Sequence, residues 1–129
     1  MKKSIQLVRI MDDNRTEQLE ALEVLVEFND RLVHNMEIIV KELSGQRMDD
    51  TDQFLKGIVD AMNWEIQVVN GTTEVLNEGK QRIDKNAFNQ SIIALGDAIA
   101  AKDDTKIAKE FEHVIPIFKQ LGVSAREVI

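Results

Sequence analysis

Glu110 and His113 stand three residues apart, which is the Glu-x-x-His spacing of carboxylate-bridged metal sites. On a helix this spacing places both side chains on one face, where they can ligate one ion. Glu65 is a further candidate ligand, so a ferritin-like metal site made of Glu65, Glu110 and His113 is one hypothesis. A complete di-iron site needs a second such pair, and His34, the other histidine, has no glutamate three residues before it. We therefore favour a packing role for the pair and predict no metal and no cofactor.

Other catalytic signatures are missing from the sequence. The chain has no cysteine, which excludes thiolate catalysis and zinc-thiolate sites. Its six glycines do not cluster into a phosphate-binding loop, and none of its serines has a credible histidine base nearby. We therefore predict that the protein is not an enzyme.

Composition limits the kinds of partner. A chain of 129 residues predicts one domain, and a net charge of −7 with a pI near 4.8 disfavours binding to nucleic acid or to anionic membranes. No stretch approaches the roughly 20 apolar residues of a membrane span. We expect a cytoplasmic protein with no nucleic-acid or membrane partner.

Apolar residues recur every three or four positions along most of the chain, which predicts amphipathic helices. Capping residues and glycines set their predicted bounds at about 15–43, 51–78, 85–101 and 104–121. The predicted caps are Asn14, Asp50, Asp84 and Asp103, and the predicted stops are Gly45, Gly79 and Gly122. Short links between four such helices favour an all-α, antiparallel, up-down-up-down four-helix bundle with two long and two shorter helices. The single domain spans 1–129, and 1–12 and 122–129 are predicted to be flexible or packed-back tails.

The two longer helices predict where a partner binds. Because the second link is short, the two shorter helices should end before they reach the far end of the long hairpin. That end then leaves an apolar patch of the kind that marks interaction sites. The predicted partner-binding residues are Ile39, Leu43, Phe54, Leu55 and Ile58.

Some polar and small residues interrupt the apolar rows. Asn29 and Glu65 fall at similar heights on the two antiparallel long helices, which predicts a hydrogen bond between them. Trp64 lies seven residues from Gly57 and seven from Gly71, which puts all three on one stripe of the second helix. Glycines on a stripe let another backbone approach closely, so this pattern favours a helix-helix contact, with Trp64 as the contact residue, over a cofactor site.

The last 50 or so residues resemble a group of small helical proteins of Bacillota that have no assigned activity. Asp103, Ala108, Glu112 and Pro116 stand close to the closing D-x-x-x-x-A-x-x-x-E-x-x-x-x-P-like stretch of that group, at slightly different spacing. The resemblance implies a helical fold and no catalytic residue. In its composition the chain is also similar to bundle-type flagellar export chaperones, which shield an amphipathic helix of a partner.

These observations favour a non-enzymatic interaction protein, chaperone-like or an adaptor, that binds a partner helix or itself through apolar helix faces. A homodimer is the expected form of self-binding. The ferritin-like metal protein is the first alternative, and a sensor of a small apolar ligand held between the helices is the second.

Overall fold

The computed structural model describes residues 14–129 in full and the helical backbone of residues 2–13. The chain forms α1 (Lys2–Leu43), α2 (Thr51–Leu76), α3 (Lys85–Ala100) and α4 (Asp104–Val128). The all-α four-helix bundle is confirmed. The prediction of a tail at 1–12 lies outside the fully described residues.

Local sequence sets most of the helix ends. The Asp84 carboxylate accepts hydrogen bonds from the backbone N–H groups of Asn86 and Ala87, and Asp103 accepts one from Lys106, so both predicted caps are confirmed. The predicted cap at Asp50 is wrong, because its side chain accepts no hydrogen bond from the first turn of α2. The turn after α1 places Gly45 at a φ of 113°, a left-handed conformation that glycine adopts without steric cost.

Each helix runs antiparallel to the next, and α1 lies between α2 and α4. Arg15 of α1 bonds to Glu78 just beyond α2, while Arg47 at the other end of α1 bonds to Asp104 of α4. α3 packs mainly on α4 and touches α2 only lightly. As a result α2 has one well-packed helical neighbour, α1, and one side of it stays open.

Two predicted helix ends are wrong. Asn14 is not a cap, because α1 already runs through it. Gly122 does not end α4, which continues to Val128 with Ser124 and Ala125 buried. The glycine has a packing role instead, because the side chain of Asn29 on α1 lies so close to Gly122 that a Cβ there would overlap it. Gly122 is therefore a point of close helix approach rather than a helix stop.

The extension of α4 changes the expected proportions of the bundle. α4 has 25 residues and α2 has 26, whereas α3 has only 16. The predicted shortness of α4 is thus wrong, and α4 is long enough to follow α1 from Asp30, which bonds to Arg126, to Arg47.

Candidate functional site

The far end of the α1–α2 hairpin is covered by the protein's own chain. Ile39, Leu43 and Ile58 are at most 3% exposed, and Leu55 is also buried. The first turns of α4 close this end with the buried side chains of Ile107 and Ala108. The expectation of a bare apolar patch at this end is therefore wrong. Of the five predicted contact residues, Phe54 alone is partly exposed.

The open surface lies further along, on the outer face between α1 and α2. Here the two helices enclose a groove of about 560 Å³, which we call the α1–α2 groove. Most of its lining is apolar, with aliphatic, aromatic and small residues: Phe28, Leu32, Phe54, Gly57, Ile58, Ala61 and Trp64. Its polar members are Arg31, Asn35, Gln53 and Glu65. Two predicted contact residues, Phe54 and Ile58, thus belong to this groove.

Two aromatic rings form one end of the groove. Phe28 of α1 and Trp64 of α2 meet edge to face, with ring centroids 6.2 Å apart and planes at 79°. This is a favourable arrangement for aromatic pairs, so each ring holds the other in place. Phe28 is nevertheless 50% exposed and Trp64 39% exposed. Large exposed aromatic side chains in a concave apolar surface are typical of binding sites.

Small residues keep the groove open. Gly57 and Ala61, one helical turn apart on α2, are both exposed and line the groove. Among the atoms that the structure describes, none lies within 4 Å of the position that a Cβ would take at Gly57, and the same holds at Gly71. The stripe of Gly57, Trp64 and Gly71 predicted from the sequence therefore faces open space.

A buried polar pair crosses the bundle beneath the groove. Asn29 Nδ2 donates a hydrogen bond of 3.0 Å to Glu65 Oε1 and one of 3.2 Å to the carbonyl oxygen of Phe118. The predicted contact between Asn29 and Glu65 is confirmed, and it also ties α4 to the long hairpin. Both side chains are only 1% exposed. Burial raises the pKa of Glu65 to about 7, against the opposing effect of the hydrogen bond from Asn29.

The candidate metal ligands are not brought together. His113 Nδ1 lies 3.6 Å from Glu110 Oε2, on the side of α4 that faces α3. Glu65 belongs instead to the buried pair with Asn29. Within residues 14–129 no group of three or more histidine, aspartate or glutamate side chains is placed to hold a metal ion.

Sequence reasoning did not single out Phe28 as a contact residue. Phe28 lies outside the apolar stripe of α1, between the acidic Glu27 and the buried Asn29. An aromatic residue on the polar side of an amphipathic helix was the available signal, because nothing in the core requires it there.

The fold and the groove define a helical bundle with one open, aromatic-lined helix face. The chain belongs to the family described as Domain of unknown function (DUF8042), whose model matches residues 20–123 and so includes every residue of the α1–α2 groove. No curated protein and no solved structure matches the chain. None of the helices, over the residues that the structure describes, has the length and apolar character needed to cross a membrane.

Proposed function

We propose that this protein is a non-enzymatic interaction module that binds an amphipathic helix in the α1–α2 groove. The observation that carries this proposal is the exposed pair of Phe28 and Trp64 beside the open floor at Gly57 and Ala61. A helix laid along this floor would bury both rings and meet small side chains where its own backbone must come close.

The form of the lining supports a helix as the ligand. Apolar residues repeat along α2 at Phe54, Gly57, Ala61 and Trp64, in steps of three and four, so the floor is a straight strip along one helix. A straight apolar strip matches the i, i+3, i+4 and i+7 anchors of an amphipathic helix. The bound helix would belong to a partner protein or to a second copy, in a chaperone-like or adaptor role.

The proposal also includes a cytoplasmic location and kinship with the helical proteins of Bacillota. A cytoplasmic location is consistent with the acidic composition. Kinship with the helical proteins of Bacillota rests on Asp103, Ala108, Glu112 and Pro116 alone, and it remains a prediction.

A matched pair of variants tests the proposal. Gly57 and Gly96 are both exposed helical glycines with open space beyond them, but only Gly57 lines the groove. Gly57→Gln places a long polar side chain on the groove floor, and Gly96→Gln makes the same chemical change on α3. The immobilised wild type and both variants are exposed to a lysate of the native cell, and the retained proteins are identified. Self-association is followed in parallel by sedimentation.

The proposal predicts that a partner or a second copy is retained by the wild type and by Gly96→Gln, and is lost with Gly57→Gln. Equal retention by all three proteins would contradict the groove as the binding surface. A wild type that stays monomeric and retains no protein above the level of a blank resin would contradict the function itself.

The groove volume favours one second candidate, the sensor of a small apolar ligand. About 560 Å³ falls in the range of roughly 300–1,000 Å³ of small-molecule sites, and a few polar groups among apolar walls are typical of them. Trp64 is the single tryptophan of the chain, so its fluorescence reports occupancy of the groove directly. Saturable quenching by an apolar dye such as anilinonaphthalene sulfonate, abolished by Gly57→Gln, would support this candidate. Unsaturable quenching would exclude it.

A further inference from the structure

The exposed stripe of α2 is symmetric about Trp64. Gly57 comes seven residues before Trp64 and Gly71 seven residues after it. Seven residues are close to two helical turns, so the three residues share one face. Both glycines face open space, and Trp64 is 39% exposed.

This symmetry makes the stripe complementary to itself. When a second α2 lies antiparallel across the first, with a two-fold axis at Trp64, Gly57 of one copy comes level with Gly71 of the other. The missing side chains allow the two backbones to approach at both points. Helical side chains lean toward the N-terminus of their own helix, so the two indole rings lean in opposite directions. Each ring then lies over the stretch between Trp64 and Gly71 of the other copy.

The charged residues beside the stripe are also complementary when two copies are related by this two-fold axis. Lys56 and Glu74 are 18 residues apart on α2, which is five full turns, and they therefore lie on one line along the helix. The antiparallel pairing brings Lys56 of one copy within two residues of the level of Glu74 of the other, or about 3 Å along the axis. In such a pair, the flank of one copy that carries Lys56 and Glu74 faces the same flank of the other copy. The ion pair between Lys56 and Glu74 therefore occurs twice. In the same way, Asp60 of one copy lies within one residue of the level of Gln67 of the other copy.

These side chains are available for contacts between copies. Lys56, Asp60, Gln67 and Glu74 are all exposed. Within residues 14–129 neither Lys56 nor Glu74 takes part in an ion pair. Since each copy carries a net charge of −7, two copies repel each other at long range. The ion pair of each Lys56 with Glu74 of the other copy supplies a local attraction that offsets this repulsion in the antiparallel arrangement.

We propose that a second copy of this chain docks on α2 in an antiparallel, two-fold arrangement centred on Trp64, with Lys56 of each copy paired to Glu74 of the other. This inference rests on the proposed function, because it names the partner of the same open face. The exposed Phe28, next to Trp64, is covered at the edge of this interface.

Charge reversal tests the arrangement. Lys56→Glu and Glu74→Lys each turn both ion pairs into repulsive pairs, which weakens self-association by roughly tenfold. When the two variants are mixed, both pairs of the heterodimer are again between opposite charges. Sedimentation equilibrium of each variant alone and of the equimolar mixture measures the dissociation constants, and circular dichroism checks that both variants keep the helix content of the wild type. Lys102→Glu and Glu112→Lys, at exposed sites outside α2, are controls with the same change of net charge.

The expected result is weak self-association of each α2 variant alone, with affinity close to that of the wild type in the mixture and no change for the controls. A mixture no tighter than the separate variants would overturn the antiparallel register. A wild type that is monomeric up to about 100 µM would overturn the second copy as the partner. In that last case, a lysate protein still lost with Gly57→Gln would leave the proposed function standing.

Discussion

The two sides of α1 differ in how completely they are packed. Toward α4, α1 presents buried side chains, a glycine approach at Gly122, and ion pairs from Asp30 to Arg126 and from Arg47 to Asp104. Toward the outer face of α2 it presents Phe28, half exposed beside Trp64. The first side is fully packed, and the second has the residue types of an interface but is not covered by any of residues 14–129. The difference indicates that stability comes mainly from the α1–α4 side, and we propose that binding belongs to the α1–α2 groove.

The largest expected effect compares one phenylalanine from each side. Phe118 is fully buried and packs against Phe88 at a centroid distance of 5.4 Å. Phe118→Ala is expected to lower the free energy of unfolding by about 3–5 kcal/mol, because it removes a large side chain and leaves a cavity. Phe28→Ala is expected to change the stability of the monomer by less than about 1 kcal/mol. Urea denaturation of both variants at low protein concentration measures the two values. Similar losses of unfolding free energy in the two variants would contradict the difference in packing between the α4 side and the α2 side of α1.

The second effect concerns the buried carboxyl beneath the groove. In the folded protein the pKa of Glu65 is about 7, against an ordinary value of 4.5, so the folded state holds the proton that the unfolded state releases between these values. The free energy of unfolding should therefore fall as the pH rises from 4.5 to 7, by about 2–3 kcal/mol for this group.

Glu65→Gln isolates that contribution, because the amide keeps an oxygen for Asn29 and does not titrate. The difference in stability between the two proteins is expected to move in favour of the variant across the same pH range and to become constant above about pH 8, where Glu65 is ionised in both states. Urea denaturation at a series of pH values gives the two curves. Parallel curves would show that Glu65 keeps its ordinary pKa in the folded protein.

A smaller effect compares two glycines. Gly122→Ala inserts a methyl group against Asn29 and is expected to cost about 1–3 kcal/mol. Gly57→Ala adds the same group to open space and is expected to leave stability unchanged or to raise it by up to about 1 kcal/mol, through its higher helix propensity. Thermal denaturation ranks the two variants. A stabilised Gly122→Ala would mean that α4 does not approach α1 as closely as described.

The smallest effect concerns the closed end of the hairpin. Arg47 bonds to both Asp52 and Asp104, but all three side chains are at least 36% exposed. Arg47→Ala is expected to cost less than about 1 kcal/mol, because exposed ion pairs are screened by solvent. The measured free energy of unfolding checks this value. A loss of several kcal/mol would show that the closed end of the hairpin is stabilised by the ion pairs of Arg47 rather than by the buried contacts of Ile107 and Ala108.

Much of the fold could be predicted because its signals are local. The starts of α3 and α4 follow from the residues just before them, because Asp84 and Asp103 bond as their types predict. The contact between Asn29 and Glu65 followed from their heights on two antiparallel helices.

The location of the open surface could not be predicted, because it depends on which helix faces meet. Glycine near the end of an apolar pattern is typical of a helix stop, and only the structure shows that α4 continues through Gly122, with Ser124 and Ala125 buried beyond it. The predicted site at Ile39 and Leu43 is lost for a similar reason, because both residues are buried at the end that the first turns of α4 close. The exposed stripe of Gly57, Trp64 and Gly71 was visible in the sequence, but its partner across the groove, Phe28, was not.

Sedimentation equilibrium of the wild type beside Gly57→Gln and Gly96→Gln tests whether the open face of α2 is the binding surface and whether a second copy occupies it. We expect a dimer for the wild type and for Gly96→Gln, and a monomer for Gly57→Gln at the same concentration. A Gly57→Gln protein as dimeric as the wild type would contradict this expectation.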